Sequence, residues 1–336
     1  MTIFSKKIAI DLGTANSLVY EVGRGIVLNE PTVVAVTADG GKVVAIGKAA
    51  KEMLGRAPQS IKANRPLKDG VIADYATTEA LMRFFIDEVC GSKRFVRPEV
   101  MVSVPAGVTS VESRAVLDAT ISGGAKNAYL IPEPLAAAIG AEIPISEPRG
   151  SMVINAGGGT TEVAIISLGG IVAQGSVRVA GNRIDEAIIE HLRREHNLVV
   201  GEQTAEALKI KIGSALPLPE NPEREVKGRD SISGLPRVVR VTSNEVTVAL
   251  ERPLQEIISQ IKSVLEKTPP ELASDVIDKG MVLTGGTSLL RNMSKIITRS
   301  TGVPSHIADQ PLRCVVRGCA QAIKNLEVFK KNLTSR

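Results

Sequence analysis

Ile8-Ala9-Ile10-Asp11-Leu12-Gly13-Thr14-Ala15-Asn16-Ser17-Leu18-Val19-Tyr20 is a short apolar strand, a polar residue at its end, a glycine-bearing turn and a second strand. The plan recurs near the middle of the chain as Met152-Val153-Ile154, then Asn155-Ala156-Gly157-Gly158-Gly159-Thr160-Thr161, then Glu162 to Ile166. Both stretches read as β-hairpins. A glycine turn brings backbone N–H groups close to a phosphate with no Cβ in the way. One copy is a weak signal, because Gly-Thr turns join many strands. Two copies, one per half, predict facing turns that grip a nucleotide polyphosphate from both sides. Neither turn carries a lysine, unlike a P-loop.

Working outward, Ile26–Leu28 and Val33–Val36 extend the first hairpin into a meander. Gly47 to Leu54 reads as a helix, and residues 56–73, with Pro58, Pro66 and Gly70, as a returning loop. Leu81, Phe84, Phe85 and Val89 mark an amphipathic helix from Thr77 to Val89. Val100–Val104 is a strand closed by Pro105. Thr109 opens a helix to Ile121, with Thr109 and Glu112 as a capping box. The second half follows the same order. Ile171–Val179 is a strand, Asp185–Arg194 and Thr204–Ile212 are helices, and 217–236 is an exposed connector. Leu254, Ile257, Ile258, Ile261, Val264 and Leu265 form a helical stripe ended by Pro269-Pro270. Gly280–Leu283 is a strand running into a third glycine turn, Thr284-Gly285-Gly286-Thr287-Ser288, before a helix beginning near Leu289. Nucleotides bind at such strand ends, and helix N-termini favour phosphate. The order of elements predicts an α/β fold with mixed sheets.

At 336 residues the chain calls for two lobes rather than one core. Its net charge of +5 is too small an excess, and its 2% aromatic content too low, for nucleic-acid binding to be its role. Cys90, Cys314 and Cys319 give no disulfide framework and fit a reducing cytoplasm. His191, His196 and His306 have no zinc spacing, and His191 and His196, five apart, share a helix face poorly. The N-terminus reads as a strand behind Lys6 and Lys7, not a signal peptide. The longest apolar run, Leu135–Ile145, is broken by Gly140, Glu142 and Pro144, and is too short to cross a bilayer.

The two hairpins resemble the actin/hexokinase/heat-shock-chaperone ATPase superfamily. Four further strings narrow the resemblance to the bacterial actins of the MreB family: Arg65-Pro66-Leu67-Lys68-Asp69-Gly70-Val71-Ile72-Ala73-Asp74-Tyr75, Glu133-Pro134-Leu135-Ala136-Ala137-Ala138-Ile139-Gly140, Lys267-Thr268-Pro269-Pro270-Glu271-Leu272 and Leu283-Thr284-Gly285-Gly286. The resemblance covers nearly the whole chain. It implies an actin-like ATPase fold of two lobes, each an RNase-H-like mixed sheet flanked by helices, with ATP and Mg²⁺ in the cleft. The large subdomain of lobe I would comprise 1–33, 68–147 and 317–336, and its small subdomain 34–67. The large subdomain of lobe II would comprise 148–182 and 248–316, and its small subdomain 183–247. The resemblance further implies homopolymerisation into double filaments on the inner face of the cytoplasmic membrane. There they would control cell shape with cell-wall elongation proteins. A small-molecule kinase or a chaperone-type ATPase of the same superfamily is the alternative. The former needs a substrate-binding insertion, and the latter a peptide-binding domain.

By the same resemblance, Thr14, Ala15 and Asn16 on one side and Gly158, Gly159 and Thr160 on the other donate backbone N–H groups to the β- and γ-phosphates. Asp11 stands in the second shell of Mg²⁺, reached through water. Glu206 and Lys209 line the adenosine pocket, although from the sequence alone they read as an exposed i,i+3 pair. Gly286, Thr287, Ser288 and Leu289 pack against adenine or ribose. Thr287 stands where the family usually has a glycine, so its Cβ is expected to narrow the approach. Glu133 positions or activates the attacking water. Asn155 is the departure that matters most, because the family has Asp at this strand end. An amide orients a water but accepts no proton, so weak, slowed hydrolysis is expected. Pro132 and Asn182 likewise stand where the family often carries an acid. In Gly91–Arg97, Phe95 and Val96 among Lys93, Arg94 and Arg97 match a membrane-inserting loop.

Overall fold

The computed structural model describes residues 6–91 and 97–335. Three antiparallel strands open the chain: β1 (Lys7–Leu12), β2 (Asn16–Glu21) and β3 (Gly25–Pro31). The expected fourth strand of this meander leaves it. β4 (Val34–Thr37), β5 (Val43–Ile46) and β6 (Ile61–Asn64) form their own three-stranded sheet, with helix α1 (Lys48–Met53) against it. The expected loop 56–73 therefore holds β6 and a small hairpin, β7 (Leu67–Lys68) with β8 (Val71–Ile72). Helix α2 (Tyr75–Cys90) buries Leu81, Phe85 and Val89, as its periodicity predicts, and Asp74 caps it. β9 (Glu99–Val104) pairs parallel to β1, α3 (Ser110–Ser122) starts with the predicted capping box, and β10 (Asn127–Pro132) pairs parallel to β9. Helix α4 (Glu133–Gly140) follows without a loop.

The second lobe repeats the order. β11 (Ser151–Ala156), β12 (Thr161–Ser167) and β13 (Gly170–Val177) form the antiparallel meander. Helices α5 (Gly181–His196) and α6 (Glu202–Ile212) follow, flanking the two-residue strand β14 (Leu198–Val199). The expected connector over 217–236 is instead largely strand. β15 (Glu223–Asp230) pairs with β16 (Pro236–Thr242) and with β14. Only Val226 on β15, and Val239 and Val241 on β16, are buried, which is why this charged hairpin reads as a loop. Helix α7 (Ser243–Glu266) carries the predicted stripe and runs through Pro253; α8 (Pro270–Lys279) starts on the proline pair that ends it. β17 (Met281–Thr284) and β18 (Ser305–Ile307) join β11 in parallel, separated by α9 (Met293–Thr301). The helix expected near Leu289 is a single 3₁₀ turn, Thr287–Leu289, and the α-helix begins four residues later. Helix α10 (Cys314–Lys324) returns to the first lobe, where β19 (Thr334–Ser335) pairs with β10.

The sheet orders are β19-β10-β9-β1-β2-β3 and β13-β12-β11-β17-β18. Each lobe has its own apolar core, and a third core joins them. That shared core is built from α4 and α10, with Ala9 and Met101 from one sheet and Val153 and Ala164 from the other. The two helices cross at Gly140 and Gly318, where any Cβ would strike the backbone carbonyl of Cys314 or of Ala136. The crossing brings the carboxyl ends of β1 and β11 to opposite walls of one cleft.

His191 and His196 do meet, contrary to their spacing. α5 packs on α7, and both imidazoles turn toward the Glu245 carboxylate. Among the described residues no helix is long and apolar enough to cross a membrane.

Candidate functional site

The cleft is a cavity of about 450 Å³. Asp11, Thr14, Ala15, Asn16, Glu133, Asn155, Gly158, Gly159, Thr160, Glu206, Lys209, Gly286, Thr287 and Leu289 all line it, so sequence positions over 270 residues apart converge on one space. Ser288 does not. It is buried, and its hydroxyl donates to the Gly285 carbonyl at 2.6 Å, closing the turn rather than facing the cavity.

The two turns touch face to face. A Cβ on Gly158 would lie 2.6 Å from the Ala15 Cβ, and one on Gly159 would lie 2.6 Å from the Thr14 Oγ1. Each turn is held by a threonine from elsewhere in its own lobe. Thr32 Oγ1 donates to the Gly13 carbonyl at 2.6 Å, and Thr32 N to the Ala15 carbonyl at 3.0 Å. Thr287 Oγ1 donates to the Gly157 carbonyl at 2.7 Å, while Gly181 N and Asn182 N bond the Gly157 and Gly158 carbonyls. In a trans peptide the N–H points opposite to the preceding carbonyl. Engaging the carbonyls of 157 and 158 with α5 therefore turns the amides of Gly158 and Gly159 to the side away from α5. Thr287 is thus more than an obstruction, since its hydroxyl orients the second turn. No sequence pattern marked Thr32, because its role depends on a contact across the β3–β4 junction.

Glu133 is buried and Asp11 partly so. Asp11 accepts from Ser103 Oγ at 3.1 Å, yet burial pushes its carboxyl up to about 6. Burial raises Glu133 well above the usual range, and the negative charges of Asp11 and Glu162 add to the effect. Asn155 bridges the lobes, with Nδ2 donating to Glu133 Oε2 at 3.2 Å and Oδ1 accepting from Thr284 Oγ1 at 3.1 Å. An aspartate could not make the first of these bonds, since it has no donor when ionised. A carboxyl that holds its proton more tightly in the folded chain costs stability wherever it is ionised, and that cost vanishes below its ordinary pKa. Asp11→Asn is therefore expected to stabilise the ligand-free protein at pH 7.5 by on the order of 2–3 kcal/mol. The gain should shrink as pH falls through about 6 and vanish near 3.8. Denaturant midpoints across that range test this, and a pH-independent gain contradicts it.

At the mouth, Glu206 and Lys209 both line the cavity but do not pair with each other. Lys209 Nζ lies 2.9 Å from Asp185 Oδ1 and donates to the Gly181 carbonyl at 3.0 Å. Burial raises Asp185 to about 6 despite this lysine. Glu206 instead reaches Lys51 of the other lobe at 2.9 Å, and Gln203 Nε2 donates to the Lys51 carbonyl at 2.9 Å. The lobes thus meet above the cavity as well as beneath it. Asp185 was missed because it sits inside an ordinary amphipathic helix. Ile210 and Leu312 add exposed apolar surface at the rim beside Leu289.

The MreB/Mbl protein family model matches residues 5–331. The chain belongs to the MreB/Mbl family. The cell shape-determining protein MreB of Escherichia coli (strain K12) is 50% identical over 339 residues, covering 99% of this chain and 97% of that one. The cell shape-determining protein Mbl of Bacillus subtilis (strain 168) is 44% identical over 333 residues, covering 99% of this chain and all of that one. The crystal structure of MreB5 of Spiroplasma citri bound to AMPPNP has a TM-score of 0.91 at 36% identity, with 98% of each chain covered. A MamK double helical filament structure, 22% identical with a TM-score of 0.81 over 96% of this chain and 99% of that one, shares the fold. This MreB/Mbl chain is therefore a bacterial actin homologue with the actin-like fold that its paired hairpins predict.

The cleft's donor set fits a magnesium–nucleotide complex. Two amide-lined turns meet where a side chain would not fit, and buried acids stand behind them. Among the described residues no three His, Cys, Asp or Glu side chains are grouped to hold a metal by themselves.

Proposed function

We propose that this chain binds ATP with Mg²⁺ between its lobes and uses the bound nucleotide to control head-to-tail polymerisation. The observation that carries this reading is the contact between two glycine turns from separate sheets, Thr14–Asn16 against Gly158–Thr160, in a cleft with buried acids. In support, the Spiroplasma relative is described bound to AMPPNP and to ADP. The backbone amides of the two turns hold the β- and γ-phosphates. Mg²⁺ supplies counter-charge when bound, with Asp11 reaching it through water. Glu206 and Lys209 with its partner Asp185 face the adenosine, and Thr287 and Leu289 close that side. Glu133 orients the attacking water, and the neutral Asn155 leaves the chain a weak ATPase. The proposed four-subdomain division makes 34–67 and 183–247 the small ones, and the Lys51–Glu206 ion pair between those segments supports a meeting of the two at the mouth.

The relatives' names support a role in cell shape. We assign this chain self-assembly into double filaments, a cytoplasmic location on the inner face of the membrane, and cell-wall elongation proteins as partners. Light scattering tests the central reading. ATP with Mg²⁺ is expected to raise scattering over the protein alone, and no rise at any protein concentration contradicts polymerisation. Phe95 and Val96 lie outside the described residues, and their membrane role rests on the sequence. Phe95→Ser with Val96→Ser is expected to abolish co-sedimentation with anionic liposomes, since nearby cations contribute only about 1 kcal/mol each. Unchanged sedimentation contradicts it.

A further inference from the structure

Glu162 is fully buried and lies outside every role assigned above. Burying a carboxylate is costly unless its oxygens are satisfied. Here they are, and by both lobes. Ser176 Oγ, on β13, donates to Oε1 at 2.6 Å. The backbone N–H of Ala106, in the turn after β9 of the first lobe, donates to Oε2 at 3.2 Å. Gln174 Nε2, also on β13, donates to the Ala106 carbonyl at 3.3 Å, so residue 106 is held at both its polar groups.

Register shows why this matters. Glu162 lies directly opposite Asn155 in the β11–β12 ladder, so both side chains leave the same face of the sheet. In the first lobe Val104 of β9 is the partner of Pro132 of β10. The next residues, Pro105 and Glu133, therefore leave adjacent strand ends side by side. The two strand pairs are joined reciprocally: Asn155 donates from lobe II to Glu133 on lobe I, and Ala106 donates from lobe I to Glu162 on lobe II.

We propose that Glu162 is a positioning residue for phosphate release: by docking the Pro105–Gly107 turn on the β12–β13 pair, it fixes Glu133 relative to the second phosphate turn. It is buried outside the cavity lining and acts through the turn that it holds. The proposal rests on the ATPase reading of the cleft. Misplacing a catalytic group by about 1 Å can cost roughly 100-fold in rate.

Two variants separate reach from charge. Glu162→Asp keeps the charge but shortens the side chain by one carbon, so it falls short of Ala106. Glu162→Gln loses the charge but keeps an oxygen at the same distance, and the Ser176 hydroxyl can rotate to accept. Single-turnover phosphate release, AMPPNP affinity and thermal midpoint are measured for wild type and both variants. Glu162→Asp is expected to release phosphate about 10- to 100-fold more slowly, with AMPPNP affinity within about twofold of wild type; Glu162→Gln should stay within about threefold of wild type in both. Wild-type turnover in Glu162→Asp overturns the proposal, as does a Glu162→Gln variant as slow as Glu162→Asp. A wild-type protein that binds no AMPPNP would instead overturn the ATPase reading.

Discussion

Gly158→Val is expected to weaken ATP binding by about 10- to 100-fold. Between the facing turns there is no space for the side chain. The first added carbon would sit 2.6 Å from the Ala15 Cβ and 3.2 Å from the Ala15 backbone nitrogen. A valine adds two more. Neither wall can retreat freely. The first turn is pinned by Thr32 through the Gly13 and Ala15 carbonyls, and the Thr14 hydroxyl accepts from Gly70 N at 3.1 Å. The second turn is pinned by Thr287 and the start of α5. Forced overpacking of this kind costs about 1–3 kcal/mol, which is one to two decades in affinity at about 1.4 kcal/mol per decade. Titration with a fluorescent ATP analogue measures it. Gly201→Ala is the control, because nothing lies within 4 Å of the added carbon. Equal affinities in the two variants would contradict the paired-turn account.

Asn155→Asp is expected to speed phosphate release by about 100-fold or more, the lower end of what a general base contributes. In the present chain the Asn155 amide donates to Glu133, occupying a carboxylate oxygen that would otherwise be free to accept from water. Aspartate removes that donor and adds a second acceptor beside it. Two carboxylates at this separation do not both ionise unaided, so the gain should require Mg²⁺ and should be lost on chelation. The same crowding makes the ligand-free variant less stable than wild type. Quench-flow phosphate release for the two proteins, with and without Mg²⁺, decides the matter. Identical rates would show that Asn155 does not limit turnover.

What the sequence disclosed follows from the range of the forces involved. The paired hairpins were legible because strand alternation and glycine turns are local signals. So was the Thr109–Glu112 cap, whose two hydrogen bonds close within four residues. The departure of Val34–Thr37 into a separate sheet was not, since its partners, Val43–Ile46 and Ile61–Asn64, are selected by tertiary pairing. The hairpin from Glu223 to Thr242 was hidden for a different reason. It buries so little that its charges resemble those of a linker.

Within the site, residues on the turns themselves were found, whereas those acting across the cleft were missed. Lys209 was seen, but its true partner Asp185 lies 24 positions away in the chain. The family resemblance puts Ser288 against the nucleotide, yet the 3₁₀ turn directs its hydroxyl inward to the Gly285 carbonyl. Glu162 follows two threonines in a strand and reads as an unremarkable acid. Only its register opposite Asn155 puts it at the junction of the lobes.

The proposed grip of two mirror-related turns on a triphosphate between the lobes is tested by a crystal structure with AMPPNP and Mg²⁺. The β- and γ-phosphates are expected between Thr14–Asn16 and Gly158–Thr160, within hydrogen-bonding distance of backbone amides on both sides. An empty cleft at saturating ligand, or a nucleotide bound elsewhere on the chain, would contradict it.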